Sequence, residues 1–443
     1  MVRKPARRPG RKSQRKPRRP TPRPAARGGA AIRVRMYRVG FGDCFLLSLP
    51  IGGGSATTYQ HVLVDCGVHA RGDIGTLEDV VADVAETTGR KLAIVIATHA
   101  HQDHIAGFDK FGSEFCKFDI GEVWLPWTWD PSNPTAKRLR KKQAKAIAQL
   151  TMHFDALAAS GGDLHADVRN ALANLHGNAH AIDLLCSGFG VGATVRYLKA
   201  GDAVKVKHGE ARKALAGLVA RVLGPPTSEE FLAQMDPPAS QHYMRLGPGG
   251  PSVANALKPF PREWEATDWR PLREADEKYI ERTVNTPLDS LAFALDQARN
   301  NESLVTLFNW RGHSLLFAGD AQYGNWRGWL EEEDSGAILA GIEFLKVAHH
   351  GSLNATPKSA LEGMADGNFA AMVSTQSTPW SSIPRVPLMA RLSTKTRQKV
   401  VRSDWLQVKG APRPLPKTAP KFQKSLPRGF SEGQLWFDYV IPV

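Results

Sequence analysis

Thr98-His-Ala-His-Gln-Asp-His-Ile-Ala-Gly107 decides how this chain is read. His99, His101, Asp103 and His104 put four metal-binding side chains within six residues, directly after the apolar, β-rich run Leu92 to Ala97. Histidine is sparse, 14 in 443 residues, so three in six mark a site rather than a polar loop that happens to hold them. Imidazole with carboxylate suits zinc, manganese or iron, whereas magnesium and calcium prefer oxygen shells. In an extended segment alternate side chains share a face, so His99 and His101 can grip one ion. Asp103 and His104 follow, and can turn toward a second.

Other strand-like runs end in the same kinds of side chain. His61-Val-Leu-Val-Asp-Cys-Gly67 carries Asp65, Ser314-Leu-Leu-Phe-Ala-Gly-Asp320 delivers a carboxylate, and Phe344-Leu-Lys-Val-Ala-His-His-Gly-Ser352 delivers two histidines. With the H-x-H-x-D-H loop, these segments resemble the metallo-β-lactamase family. The resemblance implies an α/β fold, the metallo-β-lactamase αββα four-layer sandwich, here with helical and loop insertions. The wording is closest to the soluble β-lactamase-like domain of ComEC-type competence proteins. Arg38-Val-Gly-Phe-Gly-Asp-Cys-Phe-Leu-Leu47, Asn300-Asn-Glu-Ser-Leu-Val305, His349-His-Gly-Ser352 and the Ala371 to Asp404 region all look like that branch. The likeness runs discontinuously from about Ile32 to Asp404.

Carried over by motif, the resemblance implies two divalent metal ions, zinc or manganese. His99 and His101 would hold the first, Asp103 and His104 the second, and Asp320 would bridge. The last ligand is His349 or His350, and the small-residue turn Gly351-Ser352 favours His350. His349 then lies beside the ions, to orient substrate or donate a proton, and Asp103 is the candidate to accept the proton of the attacking water. Asp65 is expected to hold a ligand histidine from behind. Asp43 either joins the same mouth or only steadies its glycine turn. The family's middle histidine has no counterpart, because Asn300 and Asn301 stand there. An asparagine carbonyl is a weaker, harder ligand, so either the first ion is expected to bind less tightly or an oxygen-tolerant metal such as manganese is preferred. His165, His176 and His180 are the alternative sources of an imidazole.

Charge is unevenly placed. Residues 1–30 hold twelve Arg or Lys and no acid, leaving +3 of the formal +15 for the rest. This arm is proline-rich and nearly free of bulky apolar side chains, so a disordered basic arm is expected. It suggests contact with nucleic acid or another polyanion, adding affinity but no sequence recognition. No secretory or transit pattern is evident, and no apolar run approaches membrane-spanning length. The membrane channel of ComEC-type proteins is therefore not expected, nor a DNA-uptake role. Cys44, Cys66, Cys116 and Cys186 read as reduced residues of a cytoplasmic protein. Partner proteins are not legible.

The domain body is expected over 31–408, with insertions at about 131–190 and 225–299. A basic, Pro-rich segment and a last strand fill 409–443. Strands are expected near 32–39, 44–50, 61–66, 92–98, 122–128, 194–198, 203–206, 218–223 and 434–441. Helices are expected over 75–88, 135–159 and 166–185. The third of these lies in the first insertion with the second, whose opening turns carry Arg138, Arg140, Lys141 and Lys142. These four are either a phosphate-gripping surface or a solvated helix face. The second insertion holds the Gly247-Pro-Gly-Gly-Pro251 loop and Trp264 and Trp269, which stack on substrate or pin the loop.

The expected activity is a metal-dependent hydrolase, first a phosphodiesterase or nuclease. The alternatives are a small-molecule metallo-hydrolase of lactones, thioesters or phosphoesters, and a nucleic-acid-binding subunit with a vestigial site.

Overall fold

The computed structural model describes residues 30–52, 57–69, 74–159, 178–243, 298–376, 382–405 and 425–443. The arm, most of the second insertion with Trp264 and Trp269, His165, His176 and residues 406–424 lie outside these. So does most of the expected 166–185 helix, whose described end is Ala179–Cys186.

The first half of the chain follows its local signals closely. Alternation places Ile32, Val34 and Met36 of β1 (Ala31–Tyr37) and Phe45, Leu47 and Leu49 of β2 (Cys44–Ile51) on one face. Cys44 and Leu46 take the other. β3 (Thr58–Cys66) leads to α1 (Leu77–Thr88). Thr76 Oγ1 accepts the Asp79 N–H to start α1, and Gly89, at φ 59°, ends it. Leu77, Val80, Val81, Val84 and Ala85 recur at helical spacing and bury one face. β4 (Lys91–Ile96) then delivers the H-x-H-x-D-H loop into α2 (Gln102–Lys110). The short α3 (Gly112–Phe115), β5 (Asp119–Pro126), α4 (Pro134–Ala159) and β6 (Thr194–Leu198) follow.

The turn at Gly201-Asp202 carries the chain from one sheet to the other. β6 closes the first sheet, whereas β7 (Ala203–Val204) opens the second, with β8 (Val219–Gly224), β9 (Val305–Trp310) and β10 (His313–Phe317). β11 (Phe344–Lys346), β12 (Ala370–Val373) and β13 (Val400–Arg402) complete it. The chain then returns through β14 (Phe430–Glu432) and β15 (Trp436–Pro442), which pairs antiparallel with β1. The sheets run β14-β15-β1-β2-β3-β4-β5-β6 and β13-β12-β11-β10-β9-β8-β7. In each, one run of neighbours is parallel, β3 to β6 and β10 to β13.

The two sheets pack face to face. Phe45 and Trp124 of the first meet Phe317 and Phe308 of the second, and Phe344 packs beside Phe317. Ring centroids are 6.0 Å apart for Phe45–Phe317, 6.3 Å for Trp124–Phe308 and 5.4 Å for Phe317–Phe344. Such pairs add about 0.5–1.5 kcal/mol each beyond their buried area. Helices α1, α2 and 179–186 cover the outer face of the first sheet. Helices 323–330, 335–341, 358–363 and 386–395 cover that of the second, with Trp326, Trp329, Leu361 and Leu392 inward. This is the expected αββα four-layer sandwich of the metallo-β-lactamase fold. Among the described residues no helix is long and apolar enough to cross a membrane. All four thiols are free, and Cys116 is exposed rather than in the core.

Candidate metal centre

Both parallel runs end at the same edge of the sandwich, and the polar side chains gather there. Asp65 lies at the end of β3, the histidine loop follows β4, Asp320 follows β10, and His349 and His350 follow β11. The centre thus draws on both sheets.

Close backbone packing comes first. The metal loop lies against the Gly42 turn and the end of β3, with Asp43 N–H donating to Asp103 O at 2.8 Å and Gly67 N–H to Asp43 O at 2.9 Å. A Cβ on Gly67 would stand 2.3 Å from the His104 nitrogen, so only glycine lets β3 approach the loop. Asp65 itself sits at φ 57°, a left-handed conformation that aspartate tolerates at some cost. There it accepts from Thr98 N–H and Thr98 Oγ1, both at 2.8 Å, and from His104 Nδ1 at 2.7 Å.

These contacts fix which ring nitrogens remain for an ion. His104 gives Nδ1 to Asp65, and His350 gives Nδ1 to the Ser374 carbonyl at 2.8 Å, so both present Nε2 inward. His350 Nε2 lies 2.9 Å from Asp103 Oδ2 and 3.3 Å from Asp320 Oδ2, and His104 Nε2 lies 3.1 Å from the same Asp320 oxygen. Asp103, His104, Asp320 and His350, all buried, offer one ligand atom each within 4.8 Å of one another. Beside them His99 Nε2 and His101 Nδ1 are 3.0 Å apart, near the roughly 3.3 Å spanned by two nitrogens about 2.0–2.1 Å from one tetrahedral ion. His99 Nδ1 is held by Thr98 Oγ1 at 3.1 Å and Ser303 Oγ at 3.3 Å.

Such a donor set fits divalent metal. His104 Nε2 is buried and faces the Asp320 and Asp103 carboxylates, and Asn300 Oδ1, a carbonyl-type oxygen in the region of the missing histidine, is buried with no hydrogen-bond partner. Adjacent Asn301 is committed elsewhere. Its Nδ2 donates to the carbonyl of Gln234 at 2.7 Å and of Leu232 at 3.2 Å, and its Oδ1 accepts from the N–H groups of Gln322 and Asn325. It pins the helix Glu229–Ala233 to the centre instead of facing the ligands. His180 is on the surface, paired with Asp109.

His349 and His350 both adopt left-handed backbone, φ 44° and 53°, which sends neighbouring rings to different places. His349 Nδ1 meets Asn354 Oδ1 at 3.1 Å and Ser352 Oγ at 2.8 Å. The Ser352 hydroxyl donates to the same Asn354 oxygen, so the imidazole proton belongs on Nδ1. Nε2 then keeps its lone pair, 3.5 Å from the Asn300 amide nitrogen. Burial holds the ring below its ordinary pKa, hence neutral.

Electrostatics divide the other groups. Burial alone would raise the Asp103 and Asp320 pKa values, but His104 and His350 hold both far below the usual carboxylate range. Burial disfavours charge on the two imidazoles, yet the surrounding carboxylates win. His104 lies well above its ordinary value and His350 at about 10. Without metal, His350 is therefore protonated at neutral pH, and its stabilising contribution is complete below about 6.5 and lost as pH rises through about 10. Metal must displace these protons. Titrating metal at pH 7.5 in buffers of different ionisation enthalpy should reveal more than one proton released per chain. Apparent affinity should rise with pH, and a proton-neutral titration would contradict this ligand assignment.

Of the four basic residues noted on α4, Arg140 is spent locally, donating to the Thr128 and Asp130 carbonyls at 3.1 Å each. Arg138 pairs with Glu229, Lys142 lies 3.9 Å from the same carboxylate, and Lys141 is exposed. The sequence reading missed Glu302, which receives Gln143 of α4 at 2.6 Å and Thr128 at 2.9 Å. Its signal was present, a carboxylate between Asn301 and Ser303, but its partner lies 159 residues away.

A family model matches part of the chain. Residues 40–115, which include Asp43, Asp65 and the whole H-x-H-x-D-H loop, match the model of the Metallo-beta-lactamase superfamily. Among solved structures, a beta-lactamase domain protein from Burkholderia ambifaria aligns at 18% identity and a TM-score of 0.21, covering 43% of this chain. The match spans 47%, about half, of that protein's chain. No curated protein matches.

Proposed function

We propose that this protein is a metal-dependent hydrolase that cleaves phosphodiester bonds in nucleic acid, as its likeness to the ComEC-type domain implies. The attachment of α4 carries the substrate class. Gln143 ties this lysine-rich helix to Glu302, which neighbours Asn300 in the chain, and Glu302 also accepts from Thr128, whose carbonyl Arg140 of α4 holds. Lys137, Lys141 and Lys145 of α4 are exposed along it. A basic helix fastened to the rim of a metal centre suits a polyanion better than a small neutral ester.

His99 and His101, with Asn300 as the added oxygen, would hold one ion. Asp103, His104 and His350 would hold the other, with Asp320 between them. Ions so held act as Lewis acids and make a water nucleophilic near neutral pH. In this reading Asp103 would also be the carboxylate that accepts the proton of the attacking water. Of the two roles expected of His349, orienting substrate suits the geometry, because Nε2 holds a lone pair and no proton to give. The basic arm would add sequence-independent affinity. A cytoplasmic setting with zinc or manganese is part of the same proposal.

The test is cleavage of single-stranded DNA, double-stranded DNA and RNA by the purified full chain in manganese or zinc, beside His101→Ala and a deletion of residues 1–30. Cleavage should vanish with His101→Ala. Removing the arm should weaken binding and flatten its salt dependence by about 0.7–0.9 per lost phosphate contact. Metal bound with no cleavage of any nucleic acid would sink the nuclease reading and favour a small-molecule hydrolase or a binding subunit.

A further inference from the structure

Lys346 ends β11 within Phe344-Leu-Lys-Val-Ala348, and only 2% of it is exposed. A lysine at that depth is tolerated only with partners for its charge. Its ammonium forms an ion pair with Asp43, lies 3.3 Å from Asp320 Oδ1, and donates to the Gly319 carbonyl at 2.7 Å. Asp320 Oδ1 also accepts the His349 N–H at 3.1 Å. One oxygen of Asp320 is thereby occupied from behind, and Oδ2 is the one that faces His104 and His350.

Charge bookkeeping gives this geometry a purpose. Asp43, Asp65, Asp103 and Asp320 are four buried carboxylates around the centre, and Lys346 brings one positive charge. The three negative charges left over balance two divalent ions and one small anion. Without the ammonium there would be four. Beside it, Asp43, Asp65 and His104 present potential ligand atoms within 4.8 Å of one another, a place where an outside cation could settle.

We propose that Lys346 is a positioning residue, a fixed internal cation that makes Asp320 bind through a single oxygen and keeps metal off Asp43. It limits the centre's negative charge, so metal is held less tightly than the carboxylates alone would hold it. The inference rests on the reading of this cluster as a metal centre.

The experiment measures manganese per chain by elemental analysis, and affinity by chelator competition, in the full-length protein and in Lys346→Met and Lys346→Arg. Lys346→Met should bind manganese roughly tenfold more tightly or more, or take up an additional ion, because a unit charge a few ångströms from a divalent ion opposes it strongly. Lys346→Arg, which keeps the charge, should stay near the parent. A purely structural lysine would not produce that split. Unchanged or weaker binding by Lys346→Met would overturn the proposal. A Lys346→Met chain that folds only with metal present would support it, since an outside cation would then replace the ammonium. Failure of Lys346→Met to fold even with metal, while Lys346→Arg folds, would overturn it. Parent protein that binds no metal would instead refute the metal centre itself.

Discussion

Asp320→Asn is expected to reduce hydrolysis on the order of 10³-fold or more and to strip metal from the protein, while leaving the fold in place. The substitution keeps the size of the side chain and removes its charge. In the parent, Oδ1 receives Lys346 and the His349 N–H, and Oδ2 faces the Nε2 atoms of His104 and His350. An amide can still accept from the first pair through its carbonyl. Its NH2 then points at the second pair, a donor where an ion needs a carboxylate oxygen. The loss of several kcal/mol of Lewis-acid stabilisation corresponds to that drop in rate. Activity and metal content measured together, with circular dichroism as the fold control, decide the matter. Asp320→Asn with parental metal content would remove Asp320 from the ligand set.

Gly67→Ala is the second large effect, and it needs no change of charge at all. The added methyl would lie 2.3 Å from the His104 nitrogen and 2.4 Å from the Asp103 carbonyl carbon, both backbone atoms that cannot swing aside. Overpacking of this kind costs about 1–3 kcal/mol. In a domain of this size the melting temperature should fall by several degrees, about 2–4 °C per kcal/mol. The strain falls on the two residues that carry adjacent ligands, so metal affinity should drop by roughly 10- to 100-fold, the range found when support of a ligand is lost. Gly336→Ala is the matched control, because a Cβ there meets nothing within 4 Å and alanine favours its helix. Parental metal affinity in Gly67→Ala would mean that the loop is not held against β3 as described.

Much of this centre was legible because its signals are local. Thr76 and Gly89 bracket a helix whose apolar residues recur at helical spacing, alternation marks β1, and near-continuous apolar runs mark β2 and β4. The H-x-H-x-D-H loop needs only six residues to announce itself. The illegible parts depend on partners distant in sequence. Lys346 sits in a short strand that reads as ordinary, and only the fold brings Asp43, some three hundred residues earlier, against it. Asn300 and Asn301 look equivalent as text, yet one has an idle oxygen and the other pins a helix. The pairing of β15 with β1, locked by Arg35 and Asp438 at 2.8 Å, joins the two ends of the domain and follows from no local pattern.

Because both sheets contribute to the candidate ligand set, neither half of the chain holds the whole of it. The histidine loop is synthesised more than two hundred residues before Asp320 and His350. A nascent chain that has emerged only through β6 still lacks Asp320 and His350. The candidate centre is therefore complete only once the second sheet has docked and the aromatic seam has closed. An ion bound between the sheets would also clamp that docking, so chelation should loosen the joint between the halves before it disturbs either one.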